Sequence, residues 1–551
     1  YKKGVGHFVK RPWLSMGFVA LSIALLMFTM AKTPTTLVPN EDTGTIMGAV
    51  TLPPGTSQDR TDKMLRQVEK LVMASPLVDN TVVISGFSFL GGQGSSYGSF
   101  IIKLKPWEQR NSVTESSTMV FANLYLESQK AFKDAQVLFF QPPMIAGYGM
   151  SNGFSLNLQD RTGGDLTKFK KVADDFIAEL IKRPEIQSAQ TNFDTRFPQY
   201  TIDIDAAQCK RAGLSPTDVL TTLQGYLGGL YSSNFNRFGK VYRVMVQADF
   251  ADRSNIESLN NIKVRNNRGE MAPITQFMTL TPTEGPDVIS RFNMFTSIAI
   301  NGNPADGYTS GQAVKAVEEV AKSTLPVGYT YEYSGLTREE QSSGSSTTGL
   351  VFVLCFVFIY LLLAAQYESY FLPFAVLLSV PFGLLGAFLF IHLMGSLGYI
   401  PGMVGKILGA IFGQAQNNIY VQISLIMLMG LLAKNAILIV EFALDRRKMG
   451  MSITAASLHG AAARLRPILM TSMAMIIGLL PMMFAFGVGA NGNRALGTTA
   501  VGGMFIGMIC QIFVVPALFR IFQGIQEHFK PIDFGDLHDA DATPDLEQYT
   551  K

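Results

Sequence analysis

Six apolar runs constrain this 551-residue chain more than any other feature. Each is close to the roughly 20 residues that a helix needs to cross the hydrocarbon core of a bilayer. The runs are Leu14–Ala31, Thr347–Ala365, Tyr370–Met394, Tyr420–Val440, Pro467–Val488 and Ala495–Phe519. Lipid offers the backbone no hydrogen bonds, so each run predicts a helix that closes its own amide pairs. Composition agrees, with 48% hydrophobic and only 16% charged residues, against about 25% charged in soluble domains. A net charge of +3 is too small to suggest a nucleic-acid partner. Cys209, Cys355 and Cys510 lie too far apart to imply a disulfide framework or a metal site.

The first run could be mistaken for a signal-peptide core. It is followed by Lys32-Thr33-Pro34 rather than a small-residue cleavage site, so a retained membrane helix is expected. A chain opening on Tyr1 rather than Met also suggests sequence upstream. Lys2, Lys3, Lys10 and Arg11 precede the first run, Arg446, Arg447, Lys448, Arg464 and Arg466 lie between the fourth and fifth, and Arg520 follows the sixth. Helices crossing alternately place all three basic groups on one side, which the positive-inside bias makes cytoplasmic. The long polar stretch from Lys32 to Ser346 is then outside, as is the shorter 395–418 loop. The layout is one helix, a large extramembrane region, then five helices.

Within the large region, alternation and helical periodicity predict Thr45–Leu52 (strand), Ser57–Ala74 (helix), Thr81–Phe89 (strand), Ser99–Lys105 (strand), Val113–Lys133 (helix) and Gln136–Gln141 (strand). That order is β-α-β-β-α-β, the split βαβ or ferredoxin-like plan. A second copy begins with Phe154–Gln159, Asp165–Lys182 and Ser188–Phe193 and resumes at Asn293–Asn301, Ser310–Ala321 and Tyr329–Tyr333. The interval between carries its own strands near Tyr200–Asp205 and Val241–Ala248. The fold class expected is therefore an α-helical membrane bundle of six helices, with an α+β region of two ferredoxin-like modules, one of them interrupted. The acidic tail after Ile532 is expected to be disordered.

Lys434 is the first candidate for chemistry. A lysine near the bilayer centre costs about 2.5–3.5 kcal/mol on insertion scales and normally faces a partner inside a bundle. Fourteen uncharged residues precede it in its run, which makes snorkelling awkward. Glu441 is seven residues on, roughly 10 Å along the axis. No other carboxylate lies in the six runs, so a partner for Lys434 is expected from outside this chain. Arg464 and Thr471, also seven apart, share a face of the fifth helix. They could form a polar path beside Lys434, or be an anchor plus a threonine bonded to its own backbone. Spacing leaves both open.

Gly94-Ser-Ser-Tyr-Gly98 fits the G-x-S-x-G elbow of hydrolases, but the elbow needs strand, sharp turn and helix, whereas a strand is expected here. No histidine occurs between Thr33 and Ser346 to act as base. A mobile glycine-rich loop is the better reading. Phe87, Phe89 and Phe100 flank it, and Phe139 and Phe140 lie in a later strand. Such a set suits a plastic apolar pocket with a movable wall, or simply a packed core. In the 395–418 loop, Met403, Val404, Ile407, Leu408, Ile411 and Phe412 form one apolar stripe. A short interfacial helix near 402–413 is expected, too short to span.

Several blocks resemble the hydrophobe/amphiphile exporters of the resistance–nodulation–division superfamily. They are Leu37-Val-Pro-Asn-Glu-Asp-Thr-Gly44, Leu52-Pro-Pro-Gly55, Gly86-Phe-Ser-Phe89, Tyr200-Thr-Ile-Asp-Ile-Asp205, Ala433-Lys-Asn-Ala436 and Arg464-Leu-Arg-Pro467. The resemblance is to the second of the two tandem halves of such exporters. It implies that Lys434, Asn435, Arg464 and Thr471 belong to a proton relay whose paired aspartates sit in the N-terminal half. Phe87, Phe89 and Phe100 match a deep drug pocket and its switch loop, and Leu138, Phe140 and Gln190 an outer access pocket. Gln190 stands where an arginine is expected, which puts contact with anionic drugs there in doubt.

By the same resemblance the domains are a cytoplasmic segment and first helix (1–32), a porter module (33–152), a split second module (153–194 and 283–336), an inserted docking domain (195–282), the five-helix bundle (345–522) and a cytoplasmic tail (523–551). Within 195–282, residues Tyr231–Tyr242 would be its reaching hairpin. The implied protein is no enzyme but a drug/proton antiporter of the bacterial inner membrane, driven by the proton-motive force without cofactor or metal. It would be a homotrimer working with its N-terminal half, a periplasmic adaptor and an outer-membrane channel on hydrophobic small molecules. The alternatives are a protein-export motor of the superfamily, which lacks duplicated modules, and a metal-efflux pump, for which no persuasive ligand set is seen.

Overall fold

Polar groups at the edge of an apolar run can extend its helix beyond the lipid, and in the computed structural model several helices outrun the apolar segments that predict them. The structure describes residues 1–89, 91–110, 115–145, 147–148, 153–305, 308–343, 347–396, 416–529 and 531. Among these, six helices are long and apolar enough to cross a membrane. The expected interfacial helix near 402–413 and the acidic tail lie outside the described residues.

An amphipathic helix α1 (Lys2–Lys10) precedes the apolar helix α2 (Pro12–Lys32), and Val5 and Val9 of α1 are buried against the bundle. Strand β1 (Thr45–Thr51), helix α3 (Gln58–Met73), strands β2 (Val78–Ser88) and β3 (Gly92–Leu104), helix α4 (Ser117–Ala131) and strand β4 (Gln136–Phe140) follow. The sheet order is β2-β3-β1-β4 with every pair antiparallel. Leu65, Val68 and Val72 of α3 and Val120 and Leu124 of α4 bury one face of it. The Gly94–Gly98 motif falls within β3, so it has no strand–turn–helix geometry.

Strand β5 (Phe154–Asp160), helix α5 (Leu166–Ile181) and strand β6 (Ile186–Gln190) begin a second sheet. Residues 194–289 then form a separate compact unit. It contains β7 (Phe197–Ile204), α6 (Ala206–Ala212), α7 (Pro216–Leu223), the hairpin β8 (Leu230–Arg237) and β9 (Lys240–Val246), α8 (Phe250–Arg253), β10 (Lys263–Arg265), β11 (Met271–Pro273) and β12 (Met278–Gly285). β7 pairs with β12, closing the unit at its two chain ends. Its core gathers Cys209, Val219, Leu259 and Ile274, while hairpin residues Tyr231, Phe235, Val241 and Met245 are exposed within the unit.

The second sheet is completed by β13 (Ser290–Phe292), β14 (Phe295–Pro304), α9 (Ser310–Thr324) and β15 (Tyr329–Tyr333). β14 pairs with both β6 and β5, and β5 with β15. The order β6-β14-β5-β15 therefore repeats that of the first sheet, with α5 and α9 on one face.

The chain returns to the bundle through α10 (Gly335–Ser343), α11 (Thr347–Tyr367), α12 (Leu372–Leu377), α13 (Val380–Ser396), α14 (Ile419–Lys448), α15 (Ile453–Met483) and α16 (Ala490–Phe529). Two departures from the apolar runs have local causes. The Tyr370–Met394 run breaks at Leu378–Ser379, where Pro381 has no amide to donate to the preceding turn. Conversely, α15 starts well before Pro467, because the Ser452 side chain accepts the Ala455 amide and caps it there.

Helices α13, α14 and α16 approach closely through small residues, as membrane helices do. A β-carbon at Gly507 of α16 would stand 2.9 Å from Gly383 Cα and 2.7 Å from Leu432 Cδ2. Gly507→Val should therefore destabilise the bundle by about 1–3 kcal/mol, the usual cost of overpacking. The check is the detergent-solubilised melting temperature, which should fall relative to the parent protein, whereas Gly524→Ala, with open space around it near the end of α16, should leave it nearly unchanged.

Candidate functional site

Successive residues on a helix point about 100° apart, and α14 uses this at its midpoint. Asn435 is buried, and its Nδ2 donates to Ser472 Oγ of α15 at 3.0 Å. That bond fixes the rotation of α14 against α15 and turns the preceding residue, Lys434, to the exposed side of this chain. Among the described residues Lys434 has neither an ion pair nor a hydrogen bond. Ile423 and Gly430 before it and Glu441 after it lie along the same exposed strip of α14.

Arg464 and Thr471 are both on α15 but do different things. The Arg464 guanidinium lies over the Phe442 ring, 4.7 Å from its centroid, and Arg446 approaches the same ring at 5.2 Å. Such cation–π contacts favour a desolvated cation. Its Nε is buried without an acceptor among the described residues. Thr471 is exposed, and its hydroxyl donates to the Pro467 and Ile468 carbonyls at 3.0 and 3.2 Å. Thr471 is thus back-bonded to its own helix in this chain. It is Ser472, one residue on, that reaches across to α14.

Two contributors were not singled out from the sequence. Ser472 could have been, as a second hydroxyl about 100° around the helix from Thr471. Gln511 could have been, as an amide within the last apolar run. Its Nε2 donates to the Leu432 carbonyl at 3.2 Å and to Ser379 Oγ at 3.1 Å. This ties α16 to the turn of α14 just before Lys434 and to the break between α12 and α13.

In the first sheet, directly opposed residues share a face. One row is Phe100–Gly48–Phe139, where a β-carbon on Gly48 would lie 3.2 Å from Phe100 Cβ and 3.3 Å from the Phe139 ring. This face packs on α3 and α4, so Phe100 is wholly buried in the core. Its placement differs from the expected grouping with Phe87 and Phe89, because strand alternation turns it to the helix side.

The opposite face carries the rows Ser99–Ala49–Leu138 and Ile101–Met47–Phe140. The Ser99 hydroxyl donates to the Phe87 carbonyl at 2.8 Å, and the Phe89 amide donates back to Ser99 Oγ at 3.2 Å. The pair pins the end of β2 over this face. Phe87 and Phe89 stack edge to face, their centroids 5.5 Å apart. Leu138 and Phe140 thus share a sheet face with the serine that holds the two phenylalanines. Gln190 is half-buried at the end of β6 in the second sheet, opposite Asn301. A β-carbon at Gly91 would lie 3.5 Å from Asn192 Nδ2, so the glycine loop reaches the strand exit beyond Gln190.

A separate cavity of about 280 Å³ lies between the bundle and the second sheet, lined by Leu37, Ser310, Glu340, Asn418 and Arg494 among others. Burial raises the Glu340 carboxyl above the usual range, opposed by the Ser310 hydroxyl at 2.8 Å and the Leu37 amide. It shares no lining residue with the phenylalanine loop.

Comparison with known proteins agrees with this layout. Residues 1–523 match the model of the AcrB/AcrD/AcrF family. The chain is 33% identical over its whole length to the toluene efflux pump membrane transporter TtgB of Pseudomonas putida, covering 50% of that protein. It is 33% identical to the multidrug export protein AcrF of Escherichia coli, covering 95% of this chain and 49% of that one. With the multidrug resistance protein MdtF of Escherichia coli, identity is 32% over 91% of this chain and 46% of that one. The chain spans about half the length of the curated relatives it matches. A six-helix membrane bundle joined to sheets covered by helices, with a family model matched from its first residue almost to its last helix end, places the chain in the AcrB/AcrD/AcrF family of resistance–nodulation–division efflux transporters.

Proposed function

We propose that this chain acts as the C-terminal half of a proton-driven exporter of apolar and amphiphilic small molecules, with Lys434 as the charge that switches during transport. The observation that carries the reading is Lys434 itself, exposed midway along a membrane helix whose rotation the Asn435–Ser472 bond sets. A lysine held at that depth is costly unless a carboxylate meets it. The partner we infer is an aspartate pair on the N-terminal half, packed against the exposed strip of α14 and the neighbouring face of α15. Arg464, its Nε buried and unbonded, would supply a second cation to the same carboxylates. Protonating them releases Lys434 from its pair, and helix shifts follow. The energy supplied is about 2.3 kcal/mol per elementary charge per 100 mV.

On the periplasmic side, the two sheets are read as ferredoxin-like porter modules and residues 195–282, within the compact unit 194–289, as the docking domain. Phe87 and Phe89, with Leu138 and Phe140 beneath, would form the apolar wall that meets substrate. The assembled protein would be an inner-membrane homotrimer joined to a periplasmic adaptor and an outer-membrane channel. It is a secondary transporter, with no cofactor beyond the proton-motive force.

Lys434→Met in the complete transporter should lower drug resistance to that of cells lacking the pump, with membrane levels of the protein within about twofold of the parent. Thr471→Ala should retain most activity, since its hydroxyl bonds only its own helix and water can replace it. Minimum inhibitory concentrations check both, and near-parental resistance in Lys434→Met would mean that this lysine only snorkels.

Alanine at Phe87 or Phe89 should reshape the substrate range. Export of large aromatic compounds should fall several-fold more than export of small aliphatic ones, measured as a panel of inhibitory concentrations. A uniform loss across the panel, with a matching fall in protein level, would assign the two rings to folding instead.

A further inference from the structure

The segment leaving the first membrane helix is lashed to both the bundle and the first module. Pro34 to Leu37 runs beside the start of α14: the Asn417 amide donates to the Pro34 carbonyl at 2.8 Å, and the Ile419 amide to the Leu37 carbonyl at 3.1 Å. Farther on, the Glu41 carboxylate accepts the Gly492 amide at 2.6 Å and the Asn491 amide at 3.1 Å. These are first-turn donors of the 40-residue helix α16, which no intrahelical carbonyl can satisfy and which favour an anion. Asn491 Nδ2 also donates to the Asn40 carbonyl.

The very next residue turns the other way. Asp42 Oδ2 accepts the Ser117 amide at 2.7 Å, at the first residue of α4. It also meets Arg110 Nη1 at 3.2 Å. Arg110 is among the largest fully buried side chains, stacked over Trp107 and bonded through Nε to the Lys105 carbonyl at 2.7 Å. Asp42 Oδ1 accepts the Gly44 amide at 2.9 Å, and β1 starts one residue later.

We propose that Glu41 and Asp42 form a two-residue strut that carries movement of α16 into the first periplasmic module. Neighbouring carboxylates hold the N-termini of a membrane helix and of a module helix, so the two helix ends are held by residues one peptide unit apart. An unstructured tether transmits only tension, whereas a connector bonded at both ends also transmits thrust and rotation. At its other reach α16 is joined through Gln511 to the carbonyl of Leu432, two residues before Lys434. A continuous set of contacts therefore runs from the helix of Lys434, through α16, to β1 and α4. Glu41 touches no reacting group; its role is positioning. Burial raises its carboxyl above the usual range and the Gly492 and Asn491 amides pull it back, as expected of a side chain enclosed at a helix end.

The proposal rests on the transport reading, and the experiment separates the two. Glu41→Ala, Glu41→Gln and Asn491→Pro are made in the complete transporter, reconstituted in lipid. Proline removes the Asn491 amide that Glu41 accepts, at a first-turn position that a helix leaves unpaired, together with the side-chain bond to the Asn40 carbonyl. Three quantities are measured: dye efflux at saturating substrate, dye affinity by fluorescence polarisation, and amide hydrogen exchange by mass spectrometry. Glu41→Ala should slow efflux at least fivefold with affinity changed less than twofold, and exchange should rise in the first turns of both α16 and α4. Asn491→Pro should slow efflux about threefold, while Glu41→Gln, which keeps an acceptor oxygen, should retain at least half the rate. Parental efflux in Glu41→Ala and Asn491→Pro overturns the strut, as does a rise in exchange confined to α16. If Glu41→Ala fails to accumulate, Asn491→Pro decides by the same two readouts. A parent protein that moves no dye refutes the transport reading, and the exchange pattern still decides whether the two helix ends are linked.

Discussion

One ammonium group halfway along a membrane helix governs the rest of the structure. Lipid penalises it by several kcal/mol unless a carboxylate is near, and none of the described residues supplies an ion pair. Its placement is enforced by the next residue round the helix, Asn435, which bonds Ser472 in a buried contact between α14 and α15. Gln511 adds a second polar tie one turn earlier, joining α16 to the Leu432 carbonyl. Such bonds are worth on the order of 1 kcal/mol each between membrane helices. Their effect here is directional: they set which face of α14 carries the charge.

The bundle was legible because lipid forces apolar runs into helices. Helix ends were not, since capping residues rather than hydropathy set them: Asn418 accepts the Val421 amide at the start of α14, and Ser452 accepts the Ala455 amide at the start of α15. Hydropathy was also blind to the break at Leu378–Ser379, which a proline produces inside an unbroken apolar run. Between the first helix and the last five, alternating patterns placed strands near β1 to β7, β9, β14 and β15 but not β8 or β10 to β13, and the sheet order β2-β3-β1-β4 recurs as β6-β14-β5-β15.

For the candidate site residues, spacing and alternation say less about direction than about position. Phe87 and Phe89 do meet, since a serine across the hairpin holds the loop that carries them. Phe100 lies close in sequence, yet its parity along β3 sends it to the helix-covered face opposite Gly48. Thr471 and Ser472 make the same point on a helix: spacing placed a hydroxyl near Arg464, but only the structure says which of two adjacent hydroxyls crosses to α14. Ties such as Glu41 to Gly492 join residues too distant in the chain for any periodicity to reveal.

The central claim is that Lys434 needs carboxylates from beyond this chain to couple protons to export. The most direct measurement is substrate-driven proton flux in proteoliposomes, comparing residues 1–551 alone with the same chain paired with an N-terminal half bearing two membrane-embedded aspartates. The expected result is flux only from the pair, abolished when both aspartates are changed to asparagine. Proton-coupled export by residues 1–551 alone would contradict the account.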